Sequence, residues 1–228
     1  MIRISILHPS FNRVQMSYDC FCDWVNDAKN PSEIEYLIGL DNNEPEKLLY
    51  ENKFQEANKK VGNFLIDMGN STSAIQAVNR LATKISDTSE LLIEVCDDIG
   101  SFSGWDTALF ETLKGIDNFK DPKMIGTHDG LRDYGVVFTQ PIMNRACYNK
   151  LGYIIYIEYT SMFADNDFTE IARRTGWLIN APHILFRHKH YSIGFNKMDA
   201  TYSKRNNTEE WDYNRQVYLK REKENFGL

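Results

Sequence analysis

Two adjacent carboxylates, Asp97 and Asp98, close the mostly apolar run Leu91-Leu92-Ile93-Glu94-Val95-Cys96, and Ile99 and Gly104-Trp105-Asp106 come after them. Such a run reads as a buried strand, and the carboxyl end of a strand is where an α/β sheet meets solvent and takes its ligands. Two like charges side by side at that position call for a cation. Hard oxygen donors on an open strand end suit Mg²⁺ or Mn²⁺ holding a diphosphate, because these ions take one or two carboxylates from the protein and fill their shell with substrate phosphate and water. The plainer reading is a solvated Asp pair opening a turn. The pair by itself does not separate the two, so the elements around it decide.

The first hundred residues alternate strand and helix. Residues 2–7 alternate and then run apolar into His8-Pro9, as a first strand ending at a loop does. Over residues 15–28, Met16, Cys20, Val25 and Ala28 recur at helical spacing with Phe21 and Trp24 beside them, until Asn30-Pro31 stops the run. Residues 34–40 predict a second strand with the tip Asp41-Asn42-Asn43-Glu44-Pro45. Residues 46–60 suit a short helix or connector. A third strand is predicted over 61–68. Next comes an amphipathic helix over 73–85, with Ala74, Ala77, Val78, Leu81 and Ile85 on one face. The strand carrying the Asp pair is next. A β-α-β opening of this kind defaults to a parallel sheet, with acidic tips at the ends of its strands.

The second half is less regular. Helices are predicted over 104–113, over 141–151 with Pro141 at the start, and over 165–175 with Gly176 closing it. Short strands are predicted over 123–127 and 135–139, and a longer one over 177–186. From Thr208 a mixed-charge helix offers Trp211, Tyr213, Val217 and Tyr218 for packing. With no repeat or linker, residues 1–228 read as one domain, with 208–228 a C-terminal helix packed on it or extending from it.

At 228 residues, 42% hydrophobic and 13% aromatic, the chain can bury a full core. Its formal charge of -6 and lack of clustered Lys and Arg argue against direct nucleic-acid binding. Cys20, Cys22, Cys96 and Cys147 fit neither a zinc knuckle nor a thioredoxin motif and read as reduced thiols. The apolar run over 2–7 is too brief for a signal sequence and no window is long enough for a membrane span, so a cytoplasmic protein is expected. The sequons at Asn70 and Asn206 are then chance matches.

Cys96-Asp97-Asp98-Ile99 followed by Gly104-Trp105-Asp106 resembles the Asp-x-Asp region of family-two glycosyltransferases, which have the GT-A fold. More narrowly, it resembles members in which Ser-Asp-Asp precedes Gly-Trp-Asp. The resemblance implies a single α/β GT-A domain, with a central mixed, mostly parallel sheet flanked by helices. It also implies a segment that holds a metal on the diphosphate of a nucleotide-sugar donor. Cys96 stands where the family's first carboxylate is usual, so the metal role falls on Asp98, with Asp97 nearer the ribose or sugar. Ser5-Ile6-Leu7-His8-Pro9-Ser10-Phe11-Asn12-Arg13 is similar to the opening strand and loop of the same enzymes. That implies Pro9, Ser10, Asn12 and Arg13 along the nucleotide pocket, and Asp41 on the base or ribose. A carboxylate suits a ribose diol or a base N–H, and backbone amides with an Arg suit phosphate. Asn79 matches a family Asn near the nucleotide, although an N-cap and a helix face explain its segment equally well.

Asp165-Asn166-Asp167 resembles the Glu-Asp element of inverting members, in which the Asp is the general base. A base must reach the attacking oxygen, and a helix start holds it rigidly. Ala164 takes the place of the preceding Glu, which puts Asp165 ahead of Asp167 without excluding it; capping is the plainer role. His188-Lys189-His190 resembles the late His element that completes the metal site. Alternate strand residues share a face, so either His188 or His190 can serve. Trp105 and Asp106 are placed on the acceptor or sugar side. Asp199-Ala200-Thr201-Tyr202 and residues 215–221 are similar to the ending of the Gly-Trp-Asp subgroup. The Gln-x-x-Arg-Trp helix of processive synthases is absent, which favours a single addition.

The expectation is an inverting glycosyltransferase that depends on Mn²⁺ or Mg²⁺ and moves one sugar from a nucleotide-diphosphate sugar to an acceptor hydroxyl. The first donor class is a uridine diphosphate sugar, and the acceptor is a glycan or another hydroxyl compound. A nucleotidyltransferase of the same superfold is the first alternative, but residues 8–12 are not the glycine-rich basic loop it requires. A catalytically silent sugar-nucleotide-binding scaffold is the second, supported by Cys96 and Ala164.

Overall fold

The computed structural model describes residues 1–114, 119–205 and 207–228. β1 (Ile4–Pro9), α1 (Val14–Asp27), β2 (Ile34–Asp41), α2 (Lys47–Lys53), β3 (Asn63–Gly69), α3 (Ala74–Ala82) and β4 (Leu91–Glu94) follow the alternation expected of the first half. After them come β5 (Ile99–Gly100), α4 (Trp105–Thr112), β6 (Met124–His128), β7 (Ile142–Asn144), α5 (Arg145–Leu151) and α6 (Ala164–Thr175). The chain finishes with β8 (Leu178–Leu185), β9 (Arg187–His188), α7 (Ala200–Arg205) and α8 (Thr208–Lys223).

One mixed sheet has the order β3-β2-β1-β4-β7-β6-β8, and β5 pairs with β9 in a separate ribbon. β1 to β4 are parallel, β7 runs against both β4 and β6, and β8 returns parallel to β6. Helices cover both faces, which is why β1, β2 and β4 read as near-continuous apolar runs. Alternate residues of one strand enter opposite layers. Ile4, Ile6 and Ile93 join Phe21, Trp24 and Trp105 in one cluster, whereas Leu7 and Leu92 join Val78, Phe168 and Val217 in the other.

Two expectations in the second half are corrected. The helix expected over 141–151 begins only at Arg145, because residues 142–144 fill the gap in the sheet between β4 and β6. Asn144 makes the change of direction, accepting from Cys147 N at 2.9 Å as the cap of α5 and from Lys123 N at 2.9 Å. The strand expected over 135–139 is a loop. Gly135 has φ +82°, and both sides of β6 are already paired, by β7 and β8.

α8 docks through a buried ion pair. Arg221 Nε donates to Asp167 Oδ2 at 2.8 Å, its Nη2 donates to Tyr153 OH at 3.0 Å, and its guanidinium lies 4.0 Å from the Tyr156 ring centroid. Breaking such a pair leaves an uncompensated charge, so Arg221→Ala should cost about 3–5 kcal/mol of stability. A urea midpoint equal to that of the wild type would show that the pair does not hold α8. The four cysteines are free thiols. No helix among the described residues is long and apolar enough to cross a membrane. The sequon at Asn206 begins outside the described residues.

Candidate active site

β4 stops at Glu94, and a hydrogen bond of 3.1 Å from Ile99 N to Cys96 O closes a turn with Asp97 and Asp98 at its centre. Asp suits such positions because its side chain supports turn backbone. Trp24 of α1 pins the turn from beneath, its Nε1 donating to Ile99 O at 2.9 Å. The two carboxylates then diverge. Asp97 Oδ1 lies 2.9 Å from His8 Nε2 and accepts from Ser10 Oγ at 2.8 Å, so it belongs to the loop after β1. Asp98 Oδ2 lies 3.1 Å from His188 Nε2 and accepts from Tyr202 OH at 2.5 Å.

The β5–β9 ribbon delivers the histidine. Ile99 stands opposite His188, Lys189 N donates to Asp98 O at 2.6 Å, and His188 N donates to Asp129 O at 2.9 Å. Burial works against a charged Asp98, but the hydrogen bond and charge of His188, the Tyr202 hydroxyl and Arg13 outweigh it and hold the carboxyl at about 2. Burial likewise disfavours a charged His188, and Asp98 followed by Asp129 overcomes it and raises the imidazole.

No group of three metal-ligating side chains converges among the described residues. Asp98 and His188 supply two donors 3.1 Å apart, close enough that one divalent ion would be held by both in place of their hydrogen bond. A carboxylate with an imidazole suits a borderline divalent ion such as Mn²⁺ that draws its remaining ligands from substrate and water. The pair therefore fits the group expected from the sequence. His190 is otherwise engaged. Its ring centroid is 5.1 Å from that of His188, but its Nδ1 lies 2.8 Å from Ser192 Oγ and accepts from Ser192 N at 3.2 Å.

α6 brings up the third group. Asp165 sits in its first turn with Oδ1 accepting from Asn166 N at 3.0 Å and Oδ2 at 3.9 Å from Arg132 Nη1. Burial raises its carboxyl, with Arg132 opposing. Asp167, one turn position along, faces the other way and is held by Arg221 and by Tyr159 OH at 3.1 Å. Its carboxylate serves the packing of α8, which corrects the expectation that it shares a catalytic role with Asp165.

Glu94 ends β4 within the fields of Asp98, His188 and Asp165, and burial pushes its carboxyl up to about 7. The folded state therefore favours the protonated acid. That preference contributes fully at pH below the ordinary value of 4.5 and is lost as pH rises through about 7. Glu94→Gln, which cannot ionise, should be more stable than wild type by roughly 3 kcal/mol at pH 8 and hardly at all at pH 4.5. Melting curves with the same difference at both pH values would contradict this.

The loop after β1 is built as a cradle. Pro9 ends the strand, Ser10 N donates to Gly39 O at 3.0 Å, and Ser10 Oγ lies 2.7 Å from Tyr50 OH. Asn12 takes the left-handed conformation that Asn tolerates, φ +53°, with its N–H donating to Glu44 Oε2 at 2.8 Å. Arg13 donates from Nε and Nη2 to the two oxygens of Asp199, each at 2.8 Å, and stands 3.8 Å from Asp97. Asp41 tips β2 opposite Gly69. A groove of about 620 Å³ opens beside this loop, lined by Asn12, Arg13, Gln15, Leu49, Lys53 and Asp199. Neither Asp98 nor His188 lines it, although Asp199 on its wall lies three residues before the Tyr202 that bonds Asp98.

Three further expectations are corrected. Trp105 is 0% exposed, wedged against Trp24 at 4.8 Å between centroids, with its Nε1 donating to Trp24 O at 2.8 Å. Asp106 is buried and accepts from the backbone N–H groups of Lys29 and Asn30 at 2.9 and 2.8 Å, capping the chain after α1. Both side chains are buried and bonded within the protein. Asn79 clamps the loop before α6, accepting from Ile154 N at 2.8 Å and donating to Ile155 O at 2.7 Å. Conversely, sequence reasoning gave no role to Glu94, Asp129, Asp199 or Tyr202. The Asp199–Tyr202 segment was visible as a pattern, but nothing local says that a hydroxyl 104 residues away meets Asp98.

The class of the fold follows from this architecture and from solved structures like it. The mannosyltransferase PcManGT from Pyrobaculum calidifontis, in complex with GDP-Man and Mn²⁺, superposes with a TM-score of 0.66 at 10% identity, over 85% of this chain and 58% of that one. S. aureus TarS 1-349 in complex with UDP gives 0.63 at 13% identity, over 81% of this chain and 59% of that one. GalNAc-T7 with UDP, GalNAc and Mn²⁺ gives 0.61 at 12% identity, over 82% and 44%. The chain spans less than two thirds of each, and the likeness establishes the GT-A fold. No family model and no curated protein matches the sequence.

Proposed function

We propose that the chain is a metal-dependent, inverting glycosyltransferase that transfers one sugar from a nucleotide-diphosphate sugar to an acceptor hydroxyl. The observation that carries this reading is the Asp98–His188 pair just past the carboxyl end of β4, with Asp165 of α6 acting electrostatically on the same Glu94 carboxyl as both of them. The neighbours solved with UDP, GDP-Man and Mn²⁺ support it, since they bind such ligands on the same fold.

In this reading Asp98 and His188 hold Mn²⁺ or Mg²⁺, which supplies positive charge against the donor diphosphate. Pro9, Ser10, Asn12, Arg13, Asp41 and Asp97 enclose the nucleoside and phosphates. Asp165 accepts the acceptor's hydroxyl proton as that oxygen attacks the anomeric carbon. The bond from that carbon to the diphosphate oxygen breaks, and the configuration inverts in one displacement. Burial suits Asp165 to the task, because a raised carboxyl is a better base near neutral pH.

The test is a thermal-shift screen with Mn²⁺ against UDP- and GDP-sugars. A ligand selective for the folded state at a hundred times its Kd stabilises by about 2.7 kcal/mol, an easily read rise in Tm. A chain unmoved by every nucleotide sugar, with or without metal, does not have this function.

A further inference from the structure

Glu94 ends β4 at 5% exposure, and its carboxylate accepts a thiol hydrogen bond from Cys96 Sγ at 3.1 Å without an ion pair among the described residues. A carboxyl group offers far more hydrogen-bonding capacity than one S–H can use. Gln140, 2% exposed, lies against it with Nε2 donating to Glu94 O at 3.3 Å, and its Oε1 has no partner. Buried side-chain oxygens in folded proteins are nearly always paired. Two under-used acceptors, one at the end of β4 and one in the loop before β7, are therefore costly for the protein alone, and they fit a ligand that brings its own O–H donors. Their position narrows the ligand, because Glu94 ends β4 four residues before Asp98 and Gln140 is held to its backbone carbonyl.

We propose that Glu94 and Gln140 are specificity-determining residues that accept hydrogen bonds from hydroxyls of the transferred sugar. The inference rests on the donor reading above, in which the sugar lies between the metal pair and the base. The sugar is accordingly one with free hydroxyls on the side turned to the sheet. Deoxy analogues are rejected, because a site built to bond a hydroxyl discriminates strongly against its absence.

The experiment compares binding of UDP, UDP-glucose, GDP and GDP-mannose in Mn²⁺ to the wild type, Glu94→Ala, Glu94→Gln and Gln140→Met, with circular dichroism to verify folding. The nucleotide sugar preferred by the wild type should bind roughly 10- to 100-fold more weakly to Glu94→Ala and Gln140→Met. Glu94→Gln, which keeps an acceptor oxygen, should recover part of the loss, and the bare nucleotide should bind all four proteins within about twofold. Folded variants that bind nucleotide and nucleotide sugar with unchanged affinity, or lose both equally, overturn the assignment while leaving the donor reading intact. If Glu94→Ala does not fold, Glu94→Gln and Gln140→Met carry the comparison. A wild type that binds none of the four ligands overturns the donor reading, and this inference with it.

Discussion

Asp165→Asn should lower sugar transfer by about 10²- to 10⁴-fold, the range of a positioned general base, and leave donor affinity nearly unchanged. The side chain is isosteric and retains the oxygen that accepts from Asn166 N, so the start of α6 keeps its geometry. What is lost is the capacity to take a proton. Because the base acts on the acceptor, kcat falls while donor binding by calorimetry does not. Turnover at the wild-type rate would move the role to another carboxylate. Asp167 is a poor substitute, since both of its oxygens face Arg221.

Asp98→Ala should abolish the dependence of donor affinity on Mn²⁺. In the wild type, titration of a nucleotide sugar with and without the metal should differ by tenfold or more, roughly 1.4 kcal/mol. The two curves should coincide in the variant. Removing the carboxylate also strands the Tyr202 hydroxyl and the His188 ring. Asp98→Asn, which still accepts from Tyr202, separates loss of metal from loss of folding. A wild-type protein whose donor affinity ignores the metal would refute the assignment.

The parallel half of the fold was legible because its signals are local. β1, β2 and β4 are apolar throughout since both of their faces are covered, and each ends in a polar tip that marks the sheet edge. The Asp pair stood out for the same reason. β5 and β9 left no trace, because each is two residues long and exists only through the other. Trp105 and Asp106 misled for a related cause. An aromatic beside a carboxylate near a metal-binding pattern looks like a sugar platform, but Trp24 and the backbone of residues 29 and 30 claim both side chains from far along the chain. β7 was hidden by Pro141, which begins helices as readily as it precedes a short strand, and by its length of three residues.

The segment from Asp199 to Tyr202 has a consequence for biosynthesis. Arg13 leaves the ribosome ahead of its carboxylate clasp, which lies 186 residues later, and the hydroxyl that meets Asp98 comes later still. β1, β2 and β3 can pair while the remainder is still being translated, since β2 joins β1 and β3 joins β2. The chemistry-bearing end of that nascent sheet lacks these partners until residues 199–202 have emerged. A stalled or prematurely terminated product would carry paired strands and an unfinished centre.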